Sequence, residues 1–130
     1  IGDRGTDSPV LQDHKALLFD KSKNLLAMPV LVAEIDESKY PNGVPSNAYG
    51  DYVWQGVYVF NITEDGISLN GMVTHIKEGT DFKKSGYYFY SDYTIQRCLY
   101  IGNVLYTLSN KIMKMNDLSN LTVLGEVLLR

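Results

Sequence analysis

Asp13 and His14 stand side by side and set a carboxylate next to an imidazole, a pairing that can orient a general base or supply two metal ligands. Their setting argues against both uses. The pair opens an alternating run, His14 to Phe19, that reads as a strand, and adjacent strand residues point to opposite faces. Hydrogen bonding to a neighbouring turn is the expected role, with a metal site at Asp13 and His14 the competing reading. His75, in VTHIK, has no partner at ligand spacing and meets His14 only if the tertiary fold brings them together. Cys98 is the single cysteine, which excludes an internal disulfide and a cysteine-based zinc cluster. It alternates within an apolar run, where a cysteine acts as a small buried hydrophobe. A nucleophile needs a base and an electropositive setting, which its neighbours do not supply. No serine lies in a G-x-S-x-G context. IGDRGTDS is glycine-rich, yet no strand-to-helix transition follows it, as a phosphate-binding loop requires. The spacing of Asp3, Asp7 and Asp13 is not that of a D-x-D-x-D-G calcium loop. Glycines at positive φ and aspartates capping turns are expected there instead. No catalytic residue is assigned and no cofactor is expected.

The aromatic residues offer a binding chemistry. Tyr87, Tyr88, Phe89, Tyr90 and Tyr93 crowd into GYYFYSDY, and Tyr40, Tyr49, Tyr52 and Trp54 surround a second polar stretch. Rings on loops stack on sugars or anchor a protein partner, because they offer a large contact area at little entropic cost. The other use of the same rings is to pack over the end of a sheet. Asn61-Ile62-Thr63 and Asn120-Leu121-Thr122 match the N-glycosylation pattern, which matters only in an exported protein.

The chain that must position these residues has 130 of them, 45% hydrophobic, which suits a single domain with its own core. Twelve Lys and Arg against fifteen Asp and Glu leave a net charge of −3, and no basic block offers a phosphate footprint, so nucleic acid is not an expected partner. The apolar run Leu25 to Ala33 is far shorter than the roughly 20 residues that span a bilayer, so no membrane insertion is expected. No charged n-region followed by an apolar h-region is visible either.

Period-two alternation and β-branched or aromatic runs recur throughout, and no window holds a convincing helix. The class is all-β. Eight strands are expected, near His14 to Phe19, Leu25 to Ile35, Val53 to Ile62, Ile67 to Ile76, Ile95 to Ile101, Val104 to Leu108, Lys111 to Met115 and Leu121 to Leu129. DKSKN, TEDG, GN, SN and NDLSN are the tight polar connections of antiparallel hairpins. DESKYPNGVPSNAYGDY and EGTDFKKSGYYFYSDY exceed the roughly 12 to 15 residues at which structureless loops become uncommon, and such loops are often binding elements.

The strands fall into two copies of one pattern. KALLFD matches RCLYIG, NLLAM matches NVLYT, and VYVFNITEDGISLNGMV matches IMKMNDLSNLTVLGEV, with Gly71 falling on Gly125 and Val73 on Val127. Tandem four-stranded antiparallel meanders are the signature of β-propeller blades, of which complete rings hold four to eight. An eight-stranded β-sandwich is the alternative architecture. The expected layout is an N-terminal connection over 1–13, a first blade over 14–77, a long connecting loop over 78–93 and a second blade over 94–130.

The segments GDRGTDS…DHKA and LYIGNVLYTLSNKIMKMNDLSNL, with WQGVYVFNIT between them, resemble a family of secreted or cell-surface archaeal and bacterial proteins with a C-terminal β-propeller domain. The resemblance covers nearly the whole chain. It implies the final blades of a longer propeller, an extracellular or cell-surface setting and no catalytic residues to carry over. A non-enzymatic binding or scaffold module follows as the expected function, with a protein or glycan ligand. The alternative is an accessory, non-catalytic part of an exported hydrolase whose active residues lie outside this chain. Two blades leave apolar faces and strand edges uncovered, so self-association, as a twofold homodimer, is also expected.

Overall fold

The computed structural model describes residues 1–77 and 91–129. The first sheet runs β1 (Leu18–Asp20), β2 (Leu25–Glu34), β3 (Asp51–Thr63), β4 (Gly66–Val73) in sequential antiparallel order. The second repeats that order with β5 (Arg97–Ile101), β6 (Val104–Leu108), β7 (Ile112–Asp117) and β8 (Val123–Leu128). The described residues are therefore all-β, with two four-stranded meanders.

Short polar residues set the turns. The Asp20 carboxylate accepts the Ser22 amide, and Asn24, at φ 52°, ends the Lys21–Lys23 turn in the left-handed conformation that Asn tolerates better than most residues. Asp117 accepts the Ser119 amide in the β7–β8 connection, where Leu121 sits at φ 60°. That turn delays β8 to Val123, two residues later than the alternation suggests. The same chemistry corrects the start of the first blade. Asp13 and His14 do not begin a strand: the Asp13 side chain accepts the Lys15 amide and caps a 3-10 turn over His14–Ala16. A local side-chain acceptor here outcompetes the extended backbone.

β1 covers only the first part of the β2 edge, pairing Leu18 with Ala27 and Asp20 with Leu25. The N-terminal segment takes over the rest. Leu31 exchanges both backbone hydrogen bonds with Asp7, Ala33 accepts from the Asp3 amide, and the Ser8 hydroxyl donates to the Pro29 carbonyl. Pro29 thus lies inside a ten-residue strand at no cost to the ladder. Its missing N–H points to the edge side, where a hydroxyl rather than a strand is its neighbour.

The core lies between the sheets. Leu25, Ala27, Val57, Val59 and Val73 face Ile95, Cys98 and Leu105 there, with Leu18, Tyr100, Leu118 and Leu121 packed around them. Burying one such aliphatic side chain is worth about 1.5–3 kcal/mol. Both sheets carry a β-bulge at the same place. Val59 pairs with Gly71 and Phe60 with Leu69, leaving Asn70 extra; Met115 pairs with Gly125 and Asn116 with Val123, leaving Leu124 extra. The bulges superimpose Gly71 on Gly125 and Val73 on Val127, as the sequence repeat anticipates. The two positions differ in what faces them. A Cβ on Gly71 would lie 2.4 Å from Leu121 Cδ1 of the second sheet, whereas a Cβ on Gly125 would meet only the mobile tip of Met115, at 3.2 Å.

In dilute solution Gly71→Ala is expected to lower unfolding stability by roughly 1–3 kcal/mol, the usual penalty of overpacking. Gly125→Ala should stay within about 0.5 kcal/mol of the parent chain. Urea denaturation followed by Trp54 fluorescence measures both; equal effects would deny Leu121 its place over Gly71.

Candidate functional site

The loop between β2 and β3 folds back onto the N-terminal segment. Arg4 Nη1 donates to the Ser46 carbonyl at 2.8 Å, the Gly50 amide donates to the Arg4 carbonyl at 2.7 Å, and the Arg4 guanidinium lies 4.7 Å from the centre of the Tyr49 ring. A stacked guanidinium both attracts the ring's negative face and holds the ring in place. Gly50 is required for this approach, since any Cβ there would come within 2.6–2.8 Å of the Glu34 backbone. Asp3 accepts the Ile35 amide, and the Thr6 hydroxyl accepts from Ala33 N and reaches Ala33 O. The aspartates and glycines of the first eight residues thus serve turns and close backbone contacts.

Between the two pinned segments opens a cleft of about 630 Å³ lined by Gly5, Thr6, Asp7, Tyr49, Gly50 and Tyr52. Tyr49 remains 54% exposed despite its contact with Arg4. Asp7 is exposed as well, with Oδ1 accepting the Ser8 amide. A second cavity of about 370 Å³ also reaches Asp7 and is lined by Gln12, Gln55, Thr94 and Gln96 among others. The Thr94 hydroxyl is buried and has no hydrogen-bond partner among the described residues. The cleft offers an aromatic wall and a carboxylate.

The structure places the other sequence candidates as follows. Trp54 does not line the cleft: its ring lies tilted 5.2 Å from that of Tyr58 and covers Gly56, and Tyr58 meets Phe60 edge-on at 6.0 Å. Tyr93 is half-exposed in the turn before β5, where its amide donates to Ser91. Tyr87, Tyr88, Phe89 and Tyr90 lie outside the described residues. Asp13 uses its second carboxylate oxygen for Arg97, at 2.9 Å, while His14 is exposed. Among the described residues no group of three or more His, Cys, Asp or Glu side chains is placed to hold a metal ion. Asn61 and Asn120 are both exposed. Cys98 is buried in the core, and burial pushes its thiol pKa up to about 12.

The repeated meander and its repeated bulge match what family comparison finds. A model of the beta propeller domain matches residues 1–121. The chain belongs to the beta propeller domain family. No curated protein and no solved structure matches it. The propeller fold points in general to a binding or scaffold module, a role in which loops at the blade ends meet the ligand.

In this propeller domain the polar groups that the sequence leaves least visible lie between the blades. Gln55 is buried and pairs with the Ile95 backbone, Nε2 donating to the carbonyl at 2.9 Å and the Ile95 amide donating to Oε1 at 3.0 Å. His75 is buried too, with Nδ1 2.9 Å from Ser109 Oγ and Nε2 2.8 Å from Thr107 Oγ1. One arrangement of protons satisfies the group. Ser109 gives its proton to the Ile112 carbonyl and accepts from Nδ1, and Thr107 donates to Nε2. Lys114 donates to the Thr74 carbonyl and pairs with Glu126 at 3.3 Å. Only tertiary contact brings these partners together; periodicity marks Gln55 merely as one polar residue on an otherwise apolar strand face.

Burial, and then the Lys114 charge, lower the His75 pKa to about 4, against the opposing pull of Glu126. Between pH 6.5 and 4 the unfolded chain therefore binds a proton that the folded chain refuses, so stability falls as pH falls through this window, by roughly 2–3 kcal/mol. His75→Gln should remove that slope in urea titrations run from pH 7 to 4; an unchanged slope would reject the assignment. Cys98, buried and with a raised pKa, should react with a thiol reagent at pH 8 on the order of a hundredfold more slowly in the native chain than in the denatured one. Equal rates would show an accessible thiol.

Proposed function

We propose that the chain is a binding module of an extracellular β-propeller protein and that it holds a glycan in the cleft between the N-terminal segment and Tyr49. The observation that carries this reading is the meeting of Tyr49 and Tyr52 with the Asp7 carboxylate around an open cleft of about 630 Å³, a volume in the range of small-ligand sites. Sugar rings present an apolar C–H face and a rim of hydroxyls. Tyrosine rings suit the first, and an exposed carboxylate accepts hydrogen bonds from the second. The backbone on both sides is pinned through Arg4 and Gly50, so little ordering is left for the ligand to impose. The exposure of Asn61 and Asn120, both within glycosylation triplets, supports the extracellular setting.

Calorimetric titration with a panel of neutral and acidic oligosaccharides tests the proposal. Tyr49→Ala and Tyr52→Ala are each expected to weaken the binding found by about tenfold, or about 1.4 kcal/mol, while the chain still unfolds in one cooperative thermal transition. Binding that ignores both substitutions would place the ligand elsewhere, and a panel without any binder would remove the glycan.

A further inference from the structure

The repeated bulge allows the faces of the two sheets to be compared residue by residue. The face of the first sheet turned toward the second carries Val57, Val59, Gly71 and Val73. The positions that match them by ladder register are Met113, Met115, Gly125 and Val127. These lie on the side of the second sheet turned away from the first, since the intervening Lys114 points back to the Thr74 carbonyl. The second sheet thus presents outward the same kind of surface that the first uses inward. The reverse also holds. Tyr58 and Phe60, on the outward face of the first sheet, match Lys114 and Asn116 on the inward face of the second.

Both outward faces are apolar and open. On the first, Ile67 is 66%, Leu69 52% and Met72 51% exposed; on the second, Ile101 is 65% and Val127 43% exposed. The notch at Gly71 is filled by Leu121, two residues before Val123. The matching notch at Gly125 has only the Met115 tip near it. Leu69 matches Val123 at the bulge, so Ile67, two residues before it and paired with Ile62 on the outward face, is the counterpart of Leu121.

We propose that a second copy of this chain docks on the outward face of the second sheet through the outward face of its first sheet, head to tail, with its Ile67 seated over Gly125. The contact repeats between chains the packing that already joins the two sheets within one chain. Such an interface is heterologous and ends in a ring when the rotation closes. Propeller rings hold four to eight blades, and with the two meanders of the described residues from each copy, two, three or four copies match that range. A pair of chains gives a twofold ring with two equivalent head-to-tail contacts. This proposal is independent of the glycan cleft, which lies at the edge of the first sheet rather than on either face.

Light scattering over a concentration series tests it, with the 14.6 kDa chain expected to approach two, three or four times that mass. Ile67→Asp and Gly125→Glu each spoil one of the two faces, and every head-to-tail contact uses both. Each variant alone is therefore expected to remain at 14.6 kDa at concentrations at least tenfold above those at which the parent associates. Mixed one to one, they should form a heterodimer and nothing larger, because one intact face of each kind remains. Recovery on mixing also shows that neither variant is misfolded. A parent chain that stays monomeric would overturn the proposal and leave these faces to another occupant, such as further blades of a longer polypeptide. Association retained by either variant alone, mass that grows without limit, or no heterodimer on mixing would each overturn the head-to-tail order.

Discussion

The joint between the two sheets rests on a side chain that behaves like a piece of backbone. Gln55 lies in the middle of β3, fully enclosed, and its carboxamide exchanges two hydrogen bonds with Ile95 just before β5 begins. An enclosed amide without partners is costly, and this one meets a peptide group with the same donor and acceptor spacing. The pair fixes the height at which the second meander meets the first. Thr74 extends it, since its hydroxyl donates to the Gln55 carbonyl and its own carbonyl receives Lys114. Around this polar spine the aliphatic contacts of Val57, Val59, Ile95 and Leu105 supply area, while the spine supplies register.

Much of this architecture was legible in the order of residues. Alternation in VYVFNI and in the NVLYTL segment marks half-buried strands, and the repeat that sets Gly71 on Gly125 coincides with a β-bulge in each sheet. What escaped was contact between residues far apart in sequence. The capping of His14–Ala16 by Asp13 is a local competition that periodicity does not register, and an alternating pattern there reads as a strand. The Arg4–Tyr49 contact spans 45 positions, and nothing in IGDRGTDS announces that it will line a loop starting after β2. Of the aromatic residues around that loop, Tyr49 and Tyr52 meet at one cleft, while Trp54 follows the pleat of β3 onto the sheet face with Tyr58.

The polar groups divide by position into two kinds of work. At turns, Asp20 and Asp117 hold Ser22 and Ser119, and those hydrogen bonds lower both carboxyl pKa values. Tyr100 also donates to Asp20, so a turn of the first sheet is tied to β5 of the second. Between the sheets, His75 and Lys114 meet hydroxyls and carbonyls rather than opposite charges alone. Neutral partners suit a buried imidazole, because an ion pair there would carry the larger desolvation cost.

Asp3, Thr6, Asp7 and Ser8 of the N-terminal segment cover the edge of β2 from Pro29 to Ala33, and Thr6 and Asp7, together with Gly5, also form one wall of the Tyr49 cleft. Edge cover and cleft wall are thus one unit, held to β2 by backbone and hydroxyl hydrogen bonds and to the β2–β3 loop through Arg4 and Gly50. A ligand in the cleft, as proposed above, would hold that cover against β2 and keep a row of backbone amides and carbonyls from pairing with another chain. On that proposal, occupancy of the cleft and resistance to aggregation are two readings of one local equilibrium.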